Sequence, residues 1–229
     1  MKILDLFRKV TEKKEKEPYI PFSVVKEHNG NYDEFYKKLK NHSLISLIVG
    51  KRGSGKTSLG MKFLEIFHKE TKRKCYTLGY EKTRLPWWLK KVDSIQKIPN
   101  NSTVLFDEGA ILFSSRDSMK NINKELSNIM AIARHKNLTL LLITQNSAMI
   151  DLNVLRLADT LILKEPSLLQ SKFERKALKD IYEKIVPHFK ELEEKKAHFY
   201  IWDDDFQGLI NYSLPTFWNE KISKSFKNV

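Results

Sequence analysis

Cysteine is nearly absent from this sequence. The 229 residues contain one, Cys75, which excludes an internal disulfide framework and a cysteine-based zinc site. No apolar run approaches the ~18 residues that a membrane-spanning helix needs. Met1–Val10 is too polar for a secretory signal. The six histidines (His28, His42, His68, His135, His188, His198) show no paired metal spacing. Internal repeats and low-complexity tracts are also missing. What remains is 41% hydrophobic and 30% charged, the balance of a soluble globular protein. The length suits one domain, or one domain with an appendage. A cytoplasmic chain without stable membrane insertion is the expectation. Acidic residues are short as well, 28 against 41 Lys and Arg, leaving a net charge of +13. That excess points to a polyanionic partner, either nucleic acid or an acidic surface.

The charge is unevenly placed. Residues 51–97 carry +9 of it, whereas residues 98–163 are balanced and residues 197–229 are slightly acidic. A charge run is ordinarily a solvated helix face, but this one begins with a phosphate-binding pattern.

Periodicity outlines alternating strands and helices. Tyr19–Val25 reads as an edge strand because Pro21 bars a central position, and Asn29-Gly30 is a turn signal. Tyr32–Leu39 reads as a short helix. Leu44–Val49 is an apolar run ended by glycine, the mark of a buried strand. Leu59, Phe63, Ile66 and Phe67 give Gly55–Lys69 a helical period, and Lys74–Gly79 follows as a strand. Pro86 suits a first helical turn and predicts a short helix over Trp87–Val92. Thr103–Phe106, Leu138–Ile143 and Asp159–Leu163 read as further strands. Ile122, Leu126, Ile129 and Ala133 share one face of a helix over 118–134. A helix over 168–186 is expected to end at Pro187. Ala197–Trp202 and Leu209–Tyr212 flank Asp203-Asp204-Asp205 as a hairpin, and Phe217–Phe226 closes the chain as a helix. Such alternation predicts a mainly parallel sheet with helices on both faces, plus a small C-terminal hairpin and helix.

Gly50-Lys51-Arg52-Gly53-Ser54-Gly55-Lys56-Thr57 matches G-x-x-x-x-G-K-[ST] in full, between a predicted strand and a predicted helix. Its glycines let backbone N–H groups curl around phosphate oxygens. Lys56 is placed to reach the β- and γ-phosphates of ATP and Thr57 to bind Mg²⁺, with Ser58 completing the loop at the start of the helix. Asp107, at a strand tip some fifty residues on, is the second candidate Mg²⁺ ligand, and Glu108 the base that polarises an attacking water. Two adjacent acids with separate tasks favour hydrolysis over transfer to a small acceptor. Gln145 ends the most apolar strand, at the sheet edge where ligands bind in open α/β folds, and its amide can reach a γ-phosphate; the alternative is a solvated loop residue. Arg134, before that strand, reads equally as a charge-stabilising guanidinium and as a helix C-terminal cap.

The Gly50–Thr57 loop, Asp107-Glu108, the Ala133–Asn137 turn and the Thr144-Gln145 strand end together resemble the FtsK/HerA group of P-loop ATPases. Within it they are similar to compact genome-packaging ATPases of membrane-containing viruses and related archaeal mobile elements. The similarity covers roughly residues 44–165, with weaker echoes at Trp87–Val92 and Leu214–Trp218. The resemblance implies an additional-strand P-loop NTPase core with the Asp-Glu strand between the loop strand's neighbours. It also implies a homohexameric ring and ATP-driven movement of double-stranded DNA. It assigns γ-phosphate sensing to Gln145 and the arginine finger, acting across a subunit boundary, to Arg134. A viral member would work in the host cytoplasm with a capsid or membrane protein as a further partner. On this reading residues 1–43 are an N-terminal extension, 44–165 the ATPase core and 166–229 a helical and hairpin appendage packed on it.

A duplex translocase grips mostly phosphates, so Lys72, Arg73, Lys74, Arg84, Lys90 and Lys91 are the candidate DNA contacts. Trp87 and Trp88 could stack on bases, but at least one is expected to pack against the protein. Cys75 is read as a small buried hydrophobe and Asp203–Asp205 as an acidic hairpin tip. Two other functions fit the motifs. One is a nucleotide-driven assembly or secretion ATPase acting on phage or pilus proteins at a membrane, which needs no DNA. The other is a small-molecule kinase, disfavoured by Glu108 beside Asp107 and by Gln145.

Overall fold

The computed structural model describes residues 18–78, 80, 84–107, 119–144, 152–167, 176–219 and 222–223. In chain order the elements are β1 (Ser23–Gly30), α1 (Tyr32–Asn41), β2 (Ile45–Val49), α2 (Lys56–Glu70), β3 (Cys75–Leu78), β4 (Leu89–Val92) and β5 (Thr103–Asp107). They continue with α3 (Met119–His135), β6 (Thr139–Ile143), α4 (Leu152–Leu157), β7 (Thr160–Leu163), α5 (Lys176–Lys190), β8 (His198–Trp202) and β9 (Phe206–Asn211). Among the described residues the strands form one sheet in the order β1-β9-β8-β7-β2-β6-β5-β3-β4. From β7 to β4 every pair is parallel; β8, β9 and β1 add antiparallel.

Alternation along each strand divides the core. Ile45, Leu47 and Val49 of β2 face Leu126, Met130 and Ala133 of α3 and Leu178, Tyr182 and Ile185 of α5. Ile48 faces the other way, into a cluster with Leu59, Phe63, Ile66 and Phe67 of α2 and Phe35 and Leu39 of α1. The helical period expected for α2 is therefore the set that packs, each of the four fully buried. Gly60 lets α2 approach closely, since a Cβ there would lie 2.6 Å from a Leu105 methyl.

Several expectations are corrected. The strand carrying Asp107 does not lie between the loop strand's neighbours: β2 pairs with β6 and β7, and β6 is the strand inserted between β2 and β5. Trp87–Val92 is not a helix. Pro86 starts a single turn closed by the Leu89 N–H on its carbonyl at 3.0 Å, and β4 then pairs with β3 from Cys75↔Leu89 to Leu78↔Val92. Exposed Lys90 and Lys91 suit an edge strand, where charge discourages pairing with another chain. Pro187 does not end α5, which runs on to Lys190; so near the C-terminus, the missing N–H costs one hydrogen bond of the last turn. Half of the closing helix expected over Phe217–Phe226 lies outside the described residues. β1, from the N-terminal segment, and β8 and β9, from the C-terminal segment, extend the same sheet beyond β7. No described helix is long and apolar enough to cross a membrane.

Candidate nucleotide site

β2 runs directly into the glycine-rich loop, and the loop into α2. Gly50, Gly53 and Gly55 all have positive φ, at 151°, 76° and 90°, a region that side chains rarely adopt. Gly50 has a second constraint: a Cβ would lie 2.6 Å from the Cβ of Lys164 on the neighbouring segment. Gly55 is the N-cap of α2, and no side chain caps that terminus, so its N–H groups and positive dipole end face the loop. The Ser54 hydroxyl is buried without a hydrogen-bond partner among the described residues. Lys56 folds back into the arc, its ammonium donating to the carbonyls of Gly50 at 2.7 Å and Lys51 at 3.1 Å. This donor-rich, cationic cradle fits a polyphosphate.

Adjacent strand ends bring further groups to the same edge. Asp107 pairs in register with Ile143 at the end of β6, and buried Thr144 donates its N–H to Ile48 at 3.1 Å. The Tyr80 hydroxyl donates to Asp107 Oδ2 at 3.1 Å. Burial, with the Asp107 charge second, pushes that phenol well above its ordinary pKa, so it remains a proton donor. Half-buried Thr57 and Asp107 offer hard oxygen donors of the kind Mg²⁺ takes. Glu108 and Gln145 lie outside the described residues.

Apart from the weak echo at Leu214–Trp218, the sequence alone did not point to the other half of the site. A cavity of about 1230 Å³ runs from the loop to a wall made by Glu193–Ala197 and by Tyr212–Leu214 with Trp218. Lys164, fully buried after β7, joins the two halves. Its ammonium donates to the carbonyls of Lys196 and His198, both at 2.6 Å, and lies 4.7 Å from the centre of the Tyr212 ring. The Tyr212 hydroxyl in turn donates to the Gly55 carbonyl at 3.3 Å and lies 3.2 Å from Ser58 Oγ. Burial, and secondarily Lys56, pull the Lys164 pKa down to about 7 against the opposing effect of Glu165. Glu165 ion-pairs with Lys51 and with Lys195, the latter at 3.4 Å, tying the loop to the same wall. The only local hint was a lysine directly after an apolar strand; no motif spacing identifies these residues.

Arg134 and the DNA candidates lie elsewhere. Arg134 sits at the C-terminal end of α3, at the opposite sheet edge, donating to the Leu157 carbonyl at 2.8 Å and to Asp159 at 3.0 Å. Asp159 also accepts the Ile45 N–H at 2.7 Å, so this pair anchors the start of β2. Arg73 is half-buried on the Asn137 carbonyl and Thr139 Oγ1, while Lys72, Lys74, Arg84, Lys90 and Lys91 are exposed. Trp88 stacks on His68 at 4.3 Å, whereas Trp87 is 89% exposed. Cys75 is buried, its thiol pushed up to about 12 by desolvation.

This is the fold of a P-loop NTPase of the additional-strand kind, with its phosphate loop intact. No protein-family model matches the sequence, and a search of curated proteins finds no relative. The likeness lies in solved structures. One is the genome packaging NTPase B204 of Sulfolobus turreted icosahedral virus 2 in complex with AMPPCP: TM-score 0.51, 17% identity, 76% of this chain and 99% of that one covered. Another is B204, the DNA-packaging ATPase of Sulfolobus turreted icosahedral virus: TM-score 0.52, 17% identity, with 76% and 99% covered. A third is the pCW3 conjugation coupling protein TcpA bound to ATPγS: TM-score 0.53, 13% identity, with 95% and 73% covered. The chain thus resembles the viral packaging ATPases in fold.

Proposed function

We propose that this chain is an ATP-hydrolysing motor that moves double-stranded DNA, packaging viral or mobile-element DNA, and that it works as a ring of identical subunits. The observation that carries the reading is the phosphate loop on β2 with Asp107 two strands away across β6. That arrangement is built to hold and cleave a nucleoside triphosphate. The likeness to a packaging NTPase and a conjugation coupling protein supports DNA as the moved partner.

The residues divide the work as follows. Backbone N–H groups of Gly53–Thr57 and the α2 terminus hold the β- and γ-phosphates. Lys56 exchanges the Gly50 and Lys51 carbonyls for phosphate oxygens. Thr57 and Asp107 would hold Mg²⁺, which supplies charge neutralisation at those oxygens. Glu108 takes the proton from the water that attacks the γ-phosphorus as the bridging bond to the β-phosphate breaks, and Gln145 orients that water. Arg134 is the candidate finger acting across a subunit boundary.

The test is nucleotide turnover with and without duplex DNA at several salt concentrations. Stimulation that fades steeply with salt is expected, because phosphate contacts release counterions. Lys56→Ala should abolish turnover. Glu108→Gln should keep nucleotide binding while turnover falls by about 100-fold or more. Turnover indifferent to DNA at every salt concentration would favour the assembly or secretion ATPase instead, and unchanged turnover in Glu108→Gln would remove Glu108 from the base role.

A further inference from the structure

A second cavity, of about 920 Å³, lies at the sheet edge remote from the phosphate loop. The two edges are separated by the length of β2, five residues, or about 16 Å at a strand's rise. α1 forms one wall; the last turn of α2 and the Thr71–Arg73 segment form the other. Five cations line it, Lys37, Lys40, Lys69, Lys72 and Arg73, against two acids, Asp33 and Glu70.

The members are not equivalent. Glu70 is already held from within: it accepts hydrogen bonds from Tyr19 at 2.5 Å and Tyr36 at 2.9 Å and pairs with Lys40 at 3.4 Å. Lys40 also lies over the Tyr36 ring, and Arg73 is held by Asn137 and Thr139. These form the rigid base of the groove. Lys37, Lys69 and Lys72 are exposed and have no acidic partner among the described residues. They project from both walls, on long flexible stems suited to a row of point charges.

We infer that this groove, through Lys37, Lys69 and Lys72, is where the chain holds the phosphate backbone of duplex DNA. The inference rests on the proposed motor function and locates its DNA contact. It moves that contact away from Arg84, Lys90 and Lys91 on and before β4, and adds Lys37 and Lys69, which no motif had marked. DNA would then meet the fold at the end opposite ATP, with β2 and α2 running between the two sites.

The experiment is fluorescence anisotropy of a labelled short duplex against salt, for the full chain and two triple variants. In Lys37→Gln/Lys69→Gln/Lys72→Gln, three lost contacts should flatten the slope of log K against log salt by about 2 to 3 and weaken binding about 100-fold at physiological salt. The corresponding triple Arg variant keeps the charges and should keep the wild-type slope; the Gln triple should melt with wild type, which separates its loss of binding from misfolding. Wild-type binding with an unchanged slope in the Gln triple overturns the inference and leaves the motor reading standing. No duplex binding by wild type at any salt overturns both. Binding to phosphatidylserine vesicles but not duplex, lost in the Gln triple, would assign the groove to a membrane surface and overturn it too.

Discussion

Lys164 shows how much one side chain outside any motif can govern the site. Its Cβ excludes a side chain at position 50, and its ammonium holds the carbonyls of Lys196 and His198 behind the loop. An ammonium with a folded pKa near 7 and an ordinary value of 10.5 binds fewer protons in the folded than in the unfolded chain between those pH values. Stability contributed by this group therefore rises with pH from about 7 to about 10.5, by up to about 1.4 kcal/mol per unit; below 7 the cost of burying the charge is fully present. Lys164→Met should remove that rise. Urea denaturation of both proteins across this range checks it, and parallel curves would show that the ammonium titrates normally.

α2 does more than carry the loop. Lys62 and Glu65 form a fully buried pair at 2.7 Å on its outer side, and Glu65 Oε1 accepts both the N–H (2.8 Å) and the hydroxyl (2.5 Å) of Thr216. The helix thereby fixes the segment that forms the far wall of the nucleotide cavity. A buried pair adds little net stability, but removing one partner strands a charge. Glu65→Ala should therefore cost about 3 to 5 kcal/mol, and Lys62→Met/Glu65→Leu should recover the part due to the stranded Lys62 charge but not the part due to the two lost Thr216 hydrogen bonds. Equilibrium unfolding of the three proteins decides; a single variant costing under about 1 kcal/mol would mean that water reaches the pair.

Arg134 is a question for the assembled molecule, because within one chain it is already occupied by Leu157 and Asp159. A purely internal role predicts that Arg134→Ala and Asp159→Asn behave alike. A finger reaching a neighbouring subunit predicts that Arg134→Ala, mixed into wild type, lowers turnover by more than its share of subunits, while Asp159→Asn only dilutes. Turnover across a mixing series separates the two; linear decline for Arg134→Ala would exclude the finger.

Local rules made much of this chain legible beforehand. The phosphate loop needs glycine at positions of positive φ and sits between a buried strand and an amphipathic helix, and each of those signals spans fewer than twenty residues. Side-chain period likewise marked β2, α2, β5 and β6, because a strand or helix declares its buried face through its own spacing. Where local signals were ambiguous the reading failed: Pro86 fits both a helix start and a single turn, and only pairing with β3 selected the strand. Strand order lay beyond any such rule, since hydrogen bonding between β6 and both β2 and β5 joins segments far apart in sequence. Lys164, Tyr212 and the Glu193–Ala197 wall likewise became part of the site only when β8 paired with β7 and β9 with β8. The +13 charge showed the same division: composition established its size, and the packing of α1 against the end of α2 gathered Lys37, Lys69 and Lys72, which have no acidic partner among the described residues, into one groove. A sequence determines what each segment can pair and bury; which distant segment it meets is decided by the competition among all of them for one core.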